Sequence, residues 1–398
     1  MLIEIKGGQL FNLGAALMLR ATIEKLSKRL PTAHFVLRLN QLTPRERLST
    51  LDISTAQLLK KIPLRKKSLD LSGLSYWWPD SFDRTFAAWG YAFEGALDAI
   101  VDISGYAYGD RWGAYPLRVT ASEIERLQRS GGCYIFLPQA FGPFDAISAS
   151  DKATFGSALP KADVILARDE RSMGYLHSLA GFDSTAVRLE PDLTIGYSAD
   201  ASLTKGLHVD RRTALFVPNI RMLDSQSESS GDQYIATLTR LAGSCHKSGY
   251  RLVLLNHSER EDANLCRQLQ HRWAAAGLNV GSVMSDVDPR RVKAIIGQAG
   301  LVISSRFHAC VSAIDQQVPC IATSWSHKYD ELYRQFDITD SLIRDLDPAA
   351  AEHWFQAWSA RPLEQRTASS EQIAVLRQSV DAMWDDIASR LARARRHA

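Results

Sequence analysis

The stretch V-I-S-S-R-F-H at residues 302–308 holds the side chains best suited to chemistry in this sequence. A short apolar run ends there, two serines follow, and Arg306 and His308 then stand two residues apart at the predicted start of a helix. Backbone N–H groups at a helix N-terminus favour anions, arginine adds a planar fork of donors, and histidine adds a proton that titrates near neutral pH. The stretch therefore predicts a site that binds an anion and donates a proton.

The spacing of Arg306 and His308 places a condition on this site. Residues two apart on a continuous helix point roughly 200° away from each other. The two side chains can converge on one ligand only if they lie at the irregular start of the helix. Ser304 and Ser305 are favourable N-cap residues, and they predict that placement. A histidine that merely packs in the core is the other interpretation of His308.

Further polar stretches each follow a predicted strand. They are residues 7–14 with Asn12 and Gly14, 102–113 with Asp102, Ser104, Tyr106 and Asp110, 137–144 with Gln139, 166–172 with Arg168, and 324–331 with His327 and Lys328. Ligands of open parallel sheets bind beyond the carboxyl ends of the strands. We therefore expect these stretches to line one ligand-binding cleft.

Two of these side chains have a specific chemical use and an ordinary alternative. The Asp102 carboxylate could hold or deprotonate a hydroxyl, or it could equally cap a turn. Arg168 could bind an anion at its strand end, or it could form a common and weak surface ion pair. The glycines of residues 7–14 could bring a ligand close to the backbone, or they could simply form a tight turn.

Strand-like apolar runs alternate with helix-like segments along most of the chain. The first series has strands over 2–5, 34–39, 99–103, 134–137, 164–167 and 186–189, and helices over 15–30, 51–61, 122–129 and 171–179. The second has strands over 214–217, 252–255, 280–283, 301–303 and 319–323, and helices over 234–245, 264–276, 290–298, 306–316 and 328–336. Such alternation predicts parallel sheets covered by helices on both faces.

The length of 398 residues predicts two domains. The polar stretch 198–212 is the expected linker, so we predict Rossmann-like domains over 1–200 and 207–362 that face a cleft. Residues 222–232 predict a loop near the site. Residues 363–398 predict an amphipathic helix followed by a basic tail, since Ile373, Val380 and Leu391 recur at helical spacing.

Composition narrows the class of protein. A net charge of +3 does not suggest a nucleic-acid binder, and five scattered cysteines without C-x-x-C spacing predict reduced core residues. No run reaches the roughly 20 apolar residues of a membrane span, and the first residues read directly into a strand, so we expect a cytoplasmic protein. The basic tail is expected to be solvated, with a membrane-surface contact as the alternative. No metal, dinucleotide, P-loop or nucleophile-elbow motif is present.

Taken together, these stretches resemble the polysaccharide pyruvyl transferase family. The matching stretches are N-L-G-A-A-L-M-L-R-A from residue 12, D-I-S-G-Y-A-Y-G-D-R-W-G from 102, L-P-Q-A-F-G-P-F from 137, A-R-D-E-R-S-M-G-Y-L from 167, P-D-L-T from 191, S-S-R-F-H-A-C-V-S-A-I-D-Q-Q-V-P from 304 and H-K-Y-D-E-L from 327. They occur in the family's order over nearly the whole chain. The first stretch departs from many relatives, which carry a lysine and a glutamate where this chain has Leu13 and Ala16.

The resemblance implies a fold and a reaction. The family is similar to two-domain glycosyltransferases of the GT-B type. Its members transfer pyruvate from phosphoenolpyruvate onto two hydroxyls of a sugar, which gives a cyclic ketal and releases phosphate. The expected partners are phosphoenolpyruvate and a sugar or lipid-linked glycan acceptor, without nucleic acid, metal or a further cofactor.

The resemblance also implies roles for residues. Arg168 and Arg306 would bind the donor's carboxylate and phosphate, with Phe307 beside them, and His308 would protonate the methylene carbon of the donor. Asp102 would accept a proton from the attacking hydroxyl. The second domain would be the donor side, and the residues expected to line the acceptor side or the cleft are Asn12, Gly14, Ser104, Tyr106, Asp110, Gln139, His327 and Lys328.

Two other functions share this architecture. A GT-B glycosyltransferase that uses a nucleotide sugar would need an acidic residue for the ribose and a nucleobase pocket in the second domain, and no signature of either is readable. A relative that binds a glycan without turnover would not need Arg168, Arg306 and His308, which are all present.

Overall fold

The computed structural model describes residues 1–38, 58–66, 69–179, 182, 187–199, 201–223, 228–258, 261–323 and 326–394. The chain divides into two compact units. Unit 1 comprises Met1–Leu10, Met18–Leu193 and Gln378–Ala398, and unit 2 comprises Phe11–Leu17 and Thr194–Arg377.

Unit 1 is built on an eight-stranded sheet in the order β10-β9-β8-β7-β1-β2-β3-β6, and its paired strands are all parallel. Its strands are β1 Leu2–Lys6, β2 His34–Leu37, β3 Leu58–Lys61, β6 Tyr91–Ala92, β7 Ala99–Asp102, β8 Cys133–Gln139, β9 Val164–Ala167 and β10 Val187–Leu189, and β4 Arg65–Lys66 and β5 Leu69–Asp70 form a separate antiparallel pair. Strands β7, β8 and β9 are buried along their whole length, as expected of central strands covered on both faces.

The helices of unit 1 connect these strands. They are α1 Leu13–Arg29, whose first residues belong to unit 2, α2 Asp80–Ala88, α3 Ala114–Arg129, α4 Ala149–Ala158 and α5 Glu170–His177. Apolar side chains of α3 and α4, such as Leu127 and Phe155, pack with Ile100 and Phe136 of the sheet into one core.

Unit 2 is built on a six-stranded parallel sheet in the order β13-β12-β11-β14-β15-β16. Its strands are β11 Thr213–Val217, β12 Arg251–Asn256, β13 Val280–Ser285, β14 Leu301–Ser304, β15 Cys320–Thr323 and β16 Leu342–Ile343. Its helices are α6 Glu228–Lys247, α7 Glu261–Ala275, α8 Pro289–Gln298, α9 Phe307–Asp315, α10 His327–Gln335 and α11 Ala351–Ser359. Trp273 of α7 packs on Phe216 of β11 in its core.

The predicted fold class, with Rossmann-like β–α alternation and parallel sheets, is confirmed. The helix predicted over 51–61 is wrong at its end, because Leu58–Lys61 forms β3, with side chains that alternate between partly exposed and buried. Residues 51–57 lie outside the described part. The aromatic stretch near residue 80 forms α2, and α3 begins eight residues before its predicted start. Helix α6 begins inside the predicted 222–232 loop, of which residues 224–227 are not described.

The predicted C-terminal helix is α12, Ser370–Arg393, and its spacing is confirmed by the burial of Ile373, Val380, Met383, Ile387 and Leu391. The last four residues of the basic tail lie outside the described part. All five cysteines are buried and unbridged. Within the described residues, every helix is too short or too polar to cross a membrane.

Candidate active site

The carboxyl ends of neighbouring unit 2 strands are cross-linked around Ser305. Its hydroxyl lies 2.6 Å from the Tyr234 hydroxyl and 2.6 Å from that of Thr323, at the end of β15. The carbonyl oxygen of Ser305 accepts hydrogen bonds from Asn219 Nδ2 at 3.0 Å and from the Tyr329 hydroxyl at 2.6 Å. These contacts fix the loop that follows β14, so the residues after Ser305 have a defined position.

Arg306 lies outside the helix and His308 lies in its first turn. The backbone of Arg306 is extended, at φ −106° and ψ 118°, and α9 begins at Phe307. The sequence predicted side-chain caps from Ser304 and Ser305, which is wrong for both. Ser305 bonds instead to Tyr234 and Thr323, and Ser304 Oγ accepts the Arg306 N–H at 2.9 Å. The irregular helix start that the two-residue spacing requires is nevertheless present.

The guanidinium of Arg306 is held by a carboxylate that the sequence reading missed. Arg306 is 8% exposed, and its Nε and Nη2 both donate to the fully buried carboxylate of Asp262, with Nε at 2.7 Å from Oδ2. Ile220 N donates to the same carboxylate at 3.0 Å. Burial raises the pKa of Asp262 while the nearby Arg306 charge opposes that rise. Two parallel hydrogen bonds orient the guanidinium and leave its remaining N–H groups for another acceptor.

His308 packs against the start of α1. A Cβ atom built on Gly14 would lie 2.5 Å from His308 Nδ1 and 2.8 Å from His308 Cβ, so only glycine permits this approach. Asn12 Oδ1 accepts the Gly14 N–H at 3.1 Å, and Leu13 N donates to the His257 carbonyl at 3.2 Å. Asn12 and Gly14 therefore act, in this structure, by shaping the surroundings of His308.

His257, which follows β12, is a second histidine near Arg306 and His308, and the sequence reading did not identify it. Its side chain is 4% exposed. Burial, together with the positive charges of Arg306 and His308, lowers the pKa of His257 well below 6.5. His257 is therefore neutral at physiological pH and can accept a proton.

Aromatic rings and a lysine complete this part of unit 2. The Phe307 ring meets the His308 and Tyr329 rings edge-on, with centroids 5.5 and 5.8 Å apart. Lys328 is 9% exposed, and its Nζ lies 5.5 Å from the Phe307 centroid. His327 is the first residue of α10. Arg306, Lys328 and the N-terminus of α9 make this region suited to an anion.

In unit 1, Arg168 and Gln139 follow neighbouring strands. Arg168 Nη1 donates to Asp192 Oδ2 at 3.0 Å, and both residues are buried, so the surface ion-pair interpretation of Arg168 is wrong. The Gln139 carbonyl accepts the Arg168 N–H at 3.0 Å. The Gln139 side chain is fully buried, and among the described residues neither Oε1 nor Nε2 has a hydrogen-bond partner. Such unpaired buried groups call for an explanation, and a ligand is one.

Asp102 lies in a different environment from the one expected of a general base. It is fully buried and accepts hydrogen bonds from Ser104 N at 2.9 Å, Ser104 Oγ at 2.6 Å, Tyr134 OH at 2.8 Å and Tyr108 OH. Lys6 Nζ lies 3.5 Å away. These partners occupy both carboxylate oxygens, so the placement favours a structural role for Asp102.

The rest of the 102–113 loop is held by its own contacts. The two carboxylate oxygens of Asp110 accept Asp145 N and Ala146 N, both at 2.9 Å. Tyr106 N donates to the Ser104 carbonyl at 2.8 Å, and burial raises the pKa of the Tyr106 phenol. Asp110 thus fixes the neighbouring loop, whereas the half-buried Tyr106 and Ser104 keep some exposure.

Comparisons with known proteins place the chain in a family and a fold. The family model described as polysaccharide pyruvyl transferase matches residues 12–327. No curated protein matches the sequence.

Solved structures share the fold at low identity. The HepE protein of Anabaena in complex with UDP is 12% identical at a TM-score of 0.57, over 98% of this chain and 99% of that one. UDP-GlcNAc 2-epimerase from Neisseria meningitidis, bound to UDP-GlcNAc, is 9% identical at 0.60, over 99% and 100%. A glycosyltransferase from Rickettsia africae is 12% identical at 0.58, over 99% and 98%. These neighbours establish a GT-B-like fold.

Proposed function

The chain belongs to the polysaccharide pyruvyl transferase family, and we propose that it transfers pyruvate from phosphoenolpyruvate onto two hydroxyls of a sugar in a polysaccharide or glycan precursor. The products would be a cyclic ketal and phosphate. The observation that carries the proposal is the placement of Arg306 and His308 on either side of Phe307 at the start of α9, with His308 seated on Gly14.

The charges of this region support a small, multiply charged donor. Phosphoenolpyruvate carries a phosphate and a carboxylate, which bind best to oriented guanidinium groups and helix N-termini. Asp262 orients Arg306, and Lys328 adds a second cation close to Phe307. The family motif assigns Arg168 to the same donor, and its buried pairing with Asp192 supports a fixed guanidinium.

The proposed reaction begins with proton transfer from His308 to the methylene carbon of phosphoenolpyruvate. The adjacent carbon becomes electrophilic and is attacked by the first sugar hydroxyl, which loses its proton. Phosphate then leaves, and the second hydroxyl closes the ketal and loses its proton in turn. One of these two protons restores His308, and the other leaves with phosphate or solvent.

The neutral His257 fits the role of proton acceptor better than Asp102 does. Burial and the nearby positive charges keep His257 unprotonated, whereas the Asp102 oxygens are already engaged by four hydrogen bonds. A positioned histidine is the commonest group for such proton transfer near neutral pH. Gln139, with two unpaired amide atoms, is the best placed of the unit 1 residues to bind a hydroxylated ligand.

A GT-B glycosyltransferase that uses a nucleotide sugar is the alternative, and the structural neighbours favour it only in fold. The test is to incubate the protein and candidate glycan acceptors with phosphoenolpyruvate in one arm and UDP- or GDP-sugars in the other. Acceptor-dependent release of phosphate and a mass gain for a ketal-linked pyruvate support the proposal. Release of the nucleotide instead, with no reaction of phosphoenolpyruvate, would favour the alternative.

A further inference from the structure

Unit 1 contains an open cavity of about 620 Å³ that none of the predicted site residues lines. Its wall is formed by the short helical turn Ser72–Trp77, the start of α2 and the last turn of α3. The side chains that matter for its chemistry are Trp77, Trp78, Asp80, Asp83, Arg126 and Arg129.

The cavity lies at the other end of the sheet from the candidate active-site residues of unit 1. Helix α3 ends at Arg129, a few residues before β8 begins, and Gly95 of the cavity wall precedes β7. The wall therefore adjoins the amino ends of β7 and β8. Ser104 and Gln139 stand at or beyond the carboxyl ends of the same strands. The cavity is a separate place on unit 1.

The wall of the cavity is fixed before any ligand arrives. Ser75, which is 1% exposed, accepts the Gly95 N–H at 2.8 Å and donates to the Ser72 carbonyl at 2.6 Å. A Cβ on Gly95 would lie 2.1 Å from the Ser75 carbonyl oxygen, so the two segments touch backbone to backbone. Arg126 Nε donates to Glu94 at 2.6 Å. A wall ordered in advance lowers the entropic cost of binding.

The surface around the cavity exposes aromatic side chains that the fold does not need. Of the thirteen large hydrophobic residues exposed in the described part of the chain, seven fall between residues 69 and 91. Trp77 is 87% exposed and Trp89 is 67% exposed, and α2 buries none of its residues. Because burial of an aromatic ring is favourable, exposed rings concentrated in one segment mark an interaction surface.

The polar groups of the wall indicate which ligand fits. Asp80 and Asp83 supply acceptors, and Arg126 and Arg129 supply donors. The buried Nη2 of Arg126 has no hydrogen-bond partner among the described residues. A sugar presents an apolar C–H face that stacks on an aromatic ring, and hydroxyls that both donate and accept. An anionic membrane surface would instead favour an excess of Lys and Arg, which the two aspartates offset.

We propose that this cavity binds a saccharide segment of a polymeric glycan, with Trp77 as the stacking platform. The glycan class agrees with the family's polysaccharide substrates, but the binding does not require ketal chemistry at the other end of unit 1. A chain held in the cavity would raise the local concentration of acceptor units near the enzyme.

The test is binding of the full-length protein to an array of bacterial oligosaccharides, followed by calorimetric titration of the retained compounds. We expect Trp77→Ala to weaken their binding roughly tenfold, which corresponds to about 1.4 kcal/mol. Arg129→Ala should weaken it as well. Trp89→Ala is the matched control, because Trp89 is an exposed tryptophan of the same segment that does not line the cavity. Circular dichroism checks that each variant is folded.

Two results would overturn the proposal. One is that the wild-type protein retains no oligosaccharide, whether or not it sediments with vesicles of anionic phosphatidylglycerol. The other is that Trp89→Ala weakens binding as much as Trp77→Ala, which would indicate a broad apolar surface. Release of phosphate from phosphoenolpyruvate is measured separately, so a failure of the proposed reaction leaves the binding result interpretable.

Discussion

The imidazole of His308 lies directly on the backbone of Gly14, since a Cβ atom built on Gly14 would come within 2.5 Å of His308 Nδ1. The pair links two segments that are almost 300 residues apart in the sequence, and both belong to unit 2. Gly14 is thus a glycine because of what packs on it. Its role is to let a histidine ring approach a helix backbone.

We predict that Gly14→Ala moves the His308 ring and lowers turnover by roughly tenfold or more, since misplacing a proton donor by about 1 Å is costly. The measurement is the steady-state rate of phosphate release from phosphoenolpyruvate, with thermal unfolding as a check on folding. The reduced rate should appear in kcat, because Arg306 and Lys328 still bind the donor.

Gly243→Ala is the control for this substitution. Gly243 also lies within a helix of unit 2, and a Cβ there would meet no atom within 4 Å. We expect unchanged turnover and a gain in stability of up to about 1 kcal/mol, as for other exposed helical glycines. Equal loss in both variants would show that the close approach to His308 does not matter.

A second prediction concerns His308 as the acid. His308→Ala should lower kcat by about 10²- to 10⁴-fold, the usual contribution of a general acid, while phosphoenolpyruvate still raises the melting temperature. His271→Ala, on an exposed position of α7, is the matched control and should behave like the wild type. A His308→Ala variant with wild-type rates would exclude His308 as the acid.

The predictable part of the site is the part that is contiguous in sequence. Arg306 and His308 could be found because one strand end carries both. Asp262 and His257 could not, because they follow β12, and only the sheet order β12-β11-β14 brings that strand end near β14. Asp102 was assigned a catalytic role from its loop, whereas its partners Tyr134 and Lys6 come from neighbouring strands.

The same reason explains how the fold prediction fared. Central strands such as β8 and β14 are continuous apolar runs, and their burial follows from the sequence alone. Strand β3 has the sequence L-L-K-K, which fits a helix equally well. It is a strand because β2 and β6 flank it, with Leu59 and Lys61 facing the interior. Tertiary pairing decided where local pattern could not.

The lowered pKa of His257 predicts how stability depends on pH. The folded state favours the neutral imidazole, so the unfolded state binds more protons below the ordinary value of 6.5. The stabilisation is therefore complete above pH 6.5 and is lost as pH falls from there toward the folded pKa. Arg306 and His308 are the charged groups that oppose protonation of His257.

We predict that His257→Gln reduces this dependence. Urea unfolding at about pH 7.5 and about pH 5.5 should give a smaller difference in the free energy of unfolding for the variant than for the wild type. His34→Gln, which replaces a partly buried histidine of β2, is a control that should keep the wild-type difference. Identical differences in His257→Gln and the wild type would show that His257 does not titrate in this range.

The buried amide of Gln139 allows binding and folding roles to be separated by the sign of an effect. In the described structure its Oε1 and Nε2 have no partner, so the folded state carries a desolvation cost of about 1–3 kcal/mol that an apolar side chain of similar size would not. We predict that Gln139→Leu raises the free energy of unfolding by that order while it lowers turnover. Urea unfolding and steady-state kinetics on the same preparation measure both. Gln316→Leu is the matched control, because Gln316 Nε2 donates to the carbonyls of Lys293 and Ser312, both at 2.8 Å. That variant should lose stability. If Gln139→Leu also loses stability, its amide is satisfied in the folded protein, and the argument that it is kept for a ligand fails.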